Sequence, residues 1–204
     1  ARDIDLVVEA ATENEEIKLD IFKQLDKIAP EHAILSSNTS SLSITKIAGV
    51  TERRDQVVGF HFFNPVQVMP LVEVNIGLTT SDKTRDTMKE VGESIGKTVI
   101  LAKDSPGFVV NRILTPMINE AIMVLESGVA TVEEIDEAMK LGANHPMGPL
   151  ELADFIGLDT LLAIIETLHD GFSDTKYRPA PLLIKYVEAG MLGQKTGQGF
   201  YKYD

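Results

Sequence analysis

The sequence of 204 residues contains no cysteine. That excludes a disulfide framework, a thiolate zinc site and a thiol nucleophile, and it suits a reducing compartment such as the cytoplasm. Bases are scarce too: 19 Lys and Arg stand against 31 Asp and Glu, for a net charge of −12. Such a surface argues against nucleic-acid or anionic-membrane partners, while a few local cations and backbone amides can still hold a small anion. No apolar run reaches the ~18 residues needed to span a bilayer. The opening Ala1-Arg2-Asp3-Ile4-Asp5 lacks the basic-then-apolar pattern of a signal peptide. A glycine-rich G-x-G-x-x-G turn is also missing. The one G-x-G, Gly197-Gln198-Gly199, follows no strand and reads as a plain turn.

What remains is an ordinary globular balance, 44% apolar and 25% charged, long enough for one large domain or two small ones. A short apolar run at 5–10 predicts a strand, and 15–28 predicts a helix with Ile17, Phe22, Leu25 and Ile28 on its inner side. A strand at 33–35, a hydroxyl- and amide-rich loop at 36–41 and a brief helix at 44–48 follow. Strands at 57–62 and 71–76, a helix at 82–95 and a strand at 98–101 complete the first half. This alternation argues for an α/β layer with a mostly parallel sheet. After Lys103-Asp104-Ser105-Pro106-Gly107 the pattern becomes helical, at 107–126, 132–141, 149–169 and 180–189. The expected boundary lies near Lys103, giving an α/β domain at 1–103 and an all-α domain at 104–204.

The stretch with the most chemistry is Gly59-Phe60-His61-Phe62-Phe63-Asn64-Pro65, followed by Glu73. If the two strands fold back with the turn near Gln67, His61 and Glu73 become cross-strand partners, with Cβ atoms about 5 Å apart. A neutral imidazole can take a proton near neutral pH, and a carboxylate on its other nitrogen fixes the tautomer and stabilises the cation. The alternative is a structural histidine in an apolar strand beside an unrelated glutamate. Ser40 lies in a loop after a strand, where parallel sheets face their ligands. It could instead cap the helix near Ile44, a task Ser41 or Ser43 would serve as well. Asn111 sits near the start of a helix whose stripe is Val110, Leu114, Met117, Ile118, Ala121 and Leu125. If buried, its amide needs a partner, either a substrate or neighbouring backbone. The remaining histidines, His32, His145 and His169, read as structural, and no metal site is expected.

Several runs, in this order and spacing, resemble the L-3-hydroxyacyl-CoA dehydrogenases. They are Asp5-Leu6-Val7-Val8-Glu9-Ala10, Ser37-Asn38-Thr39-Ser40-Ser41-Leu42, His61-Phe62-Phe63-Asn64-Pro65, Leu71-Val72-Glu73-Val74, Pro106-Gly107-Phe108-Val109-Val110-Asn111-Arg112, Met147-Gly148-Pro149 and Lys195-Thr196-Gly197-Gln198-Gly199-Phe200-Tyr201. The likeness is greatest to the compact bacterial members acting on 3-hydroxybutyryl-CoA. It implies a Rossmann-like α/β domain followed by an all-α dimerisation domain. Members open with the glycine-rich strand–turn–helix, so this chain reads as N-terminally truncated within that domain.

The resemblance also implies the chemistry: hydride exchange between NAD and C3 of a 3-hydroxyacyl-CoA, with NADP left open because the residue that discriminates the two lies in the missing part. His61 is then the general acid and base, and Glu73 holds its other nitrogen. Ser40 and Asn111 bind and polarise the substrate. Glu13, Lys18, Ser40, Asn64 and Lys195 meet the nicotinamide half of the cofactor. For Glu13 and Lys18 the plain alternative is a solvated helix face; for Asn64 it is the start of a turn. The expected partners are an acyl-CoA and a second copy of the chain, paired through the helical domain. The rivals are a dehydrogenase of a free hydroxy acid on the same scaffold, and a non-catalytic relative or fragment that keeps the fold.

Overall fold

A computed structural model describes residues 3–204. The chain divides into two compact units, one ending at Phe108 and one covering Val109–Asp204. Among the described residues no helix is long and apolar enough to cross a membrane.

The first unit holds one sheet with strands in sequence order: β1 (Leu6–Glu9), β2 (Ile34–Ser37), β3 (Val57–Phe62), β4 (Leu71–Ile76) and β5 (Thr98–Lys103). β1, β2 and β3 run parallel, β4 turns back against β3, and β5 runs parallel to β4. The connecting helices are α1 (Glu15–Ile28), α2 (Ile44–Gly49) and α3 (Asp82–Ser94).

Side-chain alternation divides the sheet into two faces. Val58, Phe60, Val72 and Val74 pack with Met88 of α3 on one face. On the other, Leu35 and Val57 pack with Phe22 of α1 and Ile44, Ile47 and Ala48 of α2. Fully burying a side chain of this size contributes about 1.5–3 kcal/mol. Farther along, toward the carboxyl ends of β1 to β3, the α1/α2 face changes character. There the same alternation presents Glu9, Ser37, Gly59 and His61, with Asn75 opposite Gly59 and Glu73 opposite His61.

The inner side of α1 differs from the expected stripe. Ile17 and Ile28 are exposed, whereas Lys18 is buried beside Phe22. The cause is a charge partner: the Lys18 ammonium pairs with the buried carboxylate of Glu9, and a buried lysine is tolerated only when paired.

The second unit comprises α4 (Val110–Glu126), α5 (Val132–Ala143), α6 (Pro149–Ile156), α7 (Leu158–Phe172) and α8 (Pro181–Glu188). Its core is Ile118, Ile122, Leu150, Leu158, Leu161, Ile165 and Leu183. The single helix expected at 149–169 is broken at Gly157, which adopts φ +96°. A side-chain-bearing residue would be strained there. Leu158 N–H, at the restart, donates to the carbonyl of Leu192 in the C-terminal tail. Two buried carboxylates also hold that tail. Asp154 accepts from the backbone of Phe200 and Tyr201 and from the Tyr203 hydroxyl. Asp136 caps the start of α6 through Leu150 and Glu151, and accepts from the Tyr201 hydroxyl.

Candidate active site

The β3–β4 register pairs His61 with Glu73 directly, as the turn position predicts. Nδ1 of His61 lies 2.8 Å from Oε2 of Glu73, and both residues are buried, 6% and 1% exposed. The rings of Phe63 and Phe108 stand 4.6 and 5.8 Å from the imidazole. In such surroundings a charge is weakly screened, so the carboxylate acts strongly on its neighbour. With Nδ1–H donated to Glu73, Nε2 carries the lone pair that can take or return a proton. Asn38 steadies the same strand end: β2 stops at Ser37, and the Asn38 side-chain oxygen accepts the N–H of Phe62 at 2.9 Å.

Ser40 is not the cap of α2. Ser43 fills that role, accepting from Lys46 N–H, and Asp104 takes the N–H groups of Ile44 and Thr45. Ser40 faces Glu13 instead, donating its backbone N–H at 2.8 Å and its hydroxyl at 3.3 Å to Oε1. Thr39 gives its hydroxyl to the other carboxylate oxygen at 2.7 Å. Two expected site residues, from the β1–α1 and β2–α2 loops, are thus brought together.

Lys18 lies behind them. Its ammonium contacts Glu9 and lies 3.3 Å from the Ser37 hydroxyl, which donates to Glu9 at 2.9 Å. Burial raises the pKa of the Glu9 carboxyl, but hydrogen bonds from Lys18, Ala11 and Ser37 outweigh it and hold the value below the usual range. The solvated-face alternative for Lys18 therefore fails. Ala10, Ala11, Thr12, Glu13, Lys18 and Asn38 line a pocket of about 190 Å³ here, at the carboxyl ends of β1 and β2. Glu9, Ser37, Asn38 and Thr39 did not stand out in the sequence as members of this cluster. The available signal was a glutamate closing an otherwise apolar strand.

Asn64 is exposed in the β3–β4 connection and forms a cis bond to Pro65. In the second unit Asn111 lies in the first turn of α4, half-buried, its carbonyl accepting from the Thr115 hydroxyl. The fully buried amide of α4 is Asn119, which bridges Arg178 and Ala180. Lys195 is exposed in the tail and pairs with Asp159.

Residues 1–105 match the NAD-binding domain of 3-hydroxyacyl-CoA dehydrogenase, and residues 107–203 match the C-terminal domain of the same enzymes. The chain belongs to the 3-hydroxyacyl-CoA dehydrogenase family. It is 59% identical over 204 residues to a probable 3-hydroxybutyryl-CoA dehydrogenase of Bacillus subtilis, covering all of this chain and 71% of that protein. The human mitochondrial hydroxyacyl-coenzyme A dehydrogenase is 51% identical over 200 residues, covering 98% of this chain and 64% of that one. Among solved structures, (S)-3-hydroxybutyryl-CoA dehydrogenase PaaH1 of Ralstonia eutropha superposes with a TM-score of 0.96 at 59% identity, over 98% of this chain and 71% of that one.

NAD is the cofactor of this family domain, and the residues present fit it. The pocket beside Glu13 and Asn38 offers a carboxylate and a side-chain amide. Those groups suit the hydroxyls of a ribose and the amide of a nicotinamide.

Proposed function

We propose that this 3-hydroxyacyl-CoA dehydrogenase interconverts (S)-3-hydroxybutyryl-CoA and acetoacetyl-CoA: 3-hydroxyacyl-CoA + NAD⁺ ⇌ 3-oxoacyl-CoA + NADH + H⁺. The observation that carries this reading is the buried 2.8 Å contact between His61 and Glu73, in a chain 59% identical to a probable 3-hydroxybutyryl-CoA dehydrogenase. When bound, NAD supplies the hydride acceptor for C3.

In oxidation, Nε2 of His61 takes the proton of the 3-hydroxyl while Nδ1–H stays on Glu73. The carboxylate keeps the tautomer fixed and stabilises the imidazolium that results. In reduction the same nitrogen returns the proton to the 3-oxo oxygen. Ser40 is proposed to hydrogen-bond the substrate carbonyl, turning its hydroxyl away from Glu13 to do so, while the backbone N–H bond to Glu13 fixes where the residue stands. Glu13, Lys18, Ser40 and Asn64 are proposed to hold the nicotinamide half of NAD, Lys18 acting from its buried pair with Glu9. From the helical unit, Asn111 is proposed to polarise the reacting oxygen and Lys195 to meet the cofactor. Both of these roles rest on the family resemblance. Two copies are proposed to pair through the helical unit, which exposes Ile113, Val129, Leu141 and Phe155.

The test of substrate class is competition between a thioester and the free acid. NADH oxidation should proceed with acetoacetyl-CoA and be insensitive to equimolar acetoacetate. Equal or better turnover of acetoacetate would establish the rival, a dehydrogenase of free hydroxy acids.

A further inference from the structure

The connection between β3 and β4, residues 63–70, begins at Phe63, carries Asn64 and returns the chain to Glu73. It has little holding it from within. Its internal backbone bonds are those of Val68 and Met69 to the Pro65 carbonyl, and most of its residues are exposed. A segment with few buried contacts and solvated backbone opens easily unless something else fastens it.

Lys97 fastens it. Just past the end of α3, Gly96 lies in the left-handed region, φ +78°. Gly96 N–H donates to the Glu93 carbonyl and Lys97 N–H to that of Gly92, the paired closure that locks the backbone after a helix. The next residue, Thr98, starts β5 and donates its N–H to the Pro70 carbonyl at 2.7 Å. From this fixed base the half-buried Lys97 side chain reaches across. Its ammonium donates to the Val66 carbonyl at 2.6 Å and to the Met69 carbonyl at 2.8 Å. Charged donors make shorter and stronger bonds than neutral ones. A lysine also gives up considerable rotamer freedom to hold such a position.

We infer that Lys97 is a positioning residue of the dehydrogenase: by clamping both sides of the connection's tip it sets where Asn64 stands, and so tunes cofactor affinity without touching the reacting atoms. The His61–Glu73 distance is set by strand register and does not depend on the clamp. The inference rests on the reading of Asn64 as a cofactor contact.

The test compares Lys97→Met, which keeps the aliphatic stem and loses the donors, with Lys97→Arg, which keeps charge and donors. In the intact protein, Lys97→Met should speed amide exchange across residues 63–70 about tenfold, the scale of a lost charged hydrogen bond. KM for NADH should rise roughly fivefold to tenfold, with kcat at saturating NADH and the pH profile within about twofold of wild type. Lys97→Arg should restore most of both. A lysine that serves stability alone would lower the unfolding midpoint and leave KM for NADH where it was. Unchanged exchange at 63–70, or faster exchange with unchanged KM, overturns the inference. A wild-type protein that binds no NADH overturns the cofactor reading and the inference together. That outcome is told apart because it appears before any variant is made.

Discussion

His61 and Glu73 are direct partners across the β3–β4 ladder, with Nδ1 and Oε2 2.8 Å apart. In the proposed mechanism this contact occupies Nδ1 and leaves Nε2 for proton transfer. Glu73→Gln keeps the shape but can present an amide N–H to Nδ1, favouring the tautomer that places its hydrogen on Nε2. We expect kcat to fall by about 10²–10⁴-fold with KM for acetoacetyl-CoA little changed. Steady-state kinetics of the variant checks this. A kcat near wild type would mean that the carboxylate is not what orients His61.

The ion pair of Lys18 with Glu9 is buried on both sides. Lys18→Met leaves the Glu9 carboxylate without its cation and should cost about 3–5 kcal/mol of unfolding free energy. Adding Glu9→Gln should recover part of that loss. Glu9 has its pKa lowered in the folded protein. Its contribution is therefore complete above the ordinary carboxyl value of 4.5 and is lost as pH falls through the lower folded value. Urea unfolding of the two variants and the wild type, repeated from neutral to acid pH, reads both effects.

Much of this arrangement was legible beforehand. The strands at 57–62 and 71–76 lie where β-branched and aromatic runs predict them, and the turn signals between them set the register that pairs His61 with Glu73. The missed features share one physical cause, contacts between segments distant in the chain. A solvated face stands as the plain alternative for Lys18 because periodicity cannot see Glu9 on the neighbouring strand. Gly157 reads as helical because the carbonyl of Leu192 that meets the restart comes from the tail. Glu13 and Ser40 sit on separate loops, and their contact exists only once β1 and β2 pair side by side.

The C-terminal tail is held by phenols on carboxylates. Burial, together with the hydrogen bond and charge of Asp136, pushes the Tyr201 hydroxyl well above its ordinary 10.0, and burial with the hydrogen bond and charge of Asp154 does the same for Tyr203. In the unfolded chain both ionise from about pH 10. The stabilisation is therefore complete below pH 10 and declines as pH rises from there through the raised folded values. Thermal unfolding midpoints should fall steeply above pH ~10 in the wild type and less steeply in a Tyr201→Phe/Tyr203→Phe variant. Parallel slopes would contradict this.

Pairing through the helical unit predicts a dimeric mass for the intact protein in light scattering. Specific interfaces bury about 1,200–2,000 Å², so replacing exposed Phe155 and Leu141 by Ser should shift the protein toward monomer at micromolar concentration. A monomeric mass for the wild type would refute the pairing.

The most direct test of the mechanism is His61→Ala. Turnover of acetoacetyl-CoA with NADH should fall by about 10²–10⁴-fold, the usual scale for losing a general acid–base group, while NADH affinity by fluorescence titration stays within about twofold. A variant that turns over at the wild-type rate would remove the histidine from the chemistry and contradict the account.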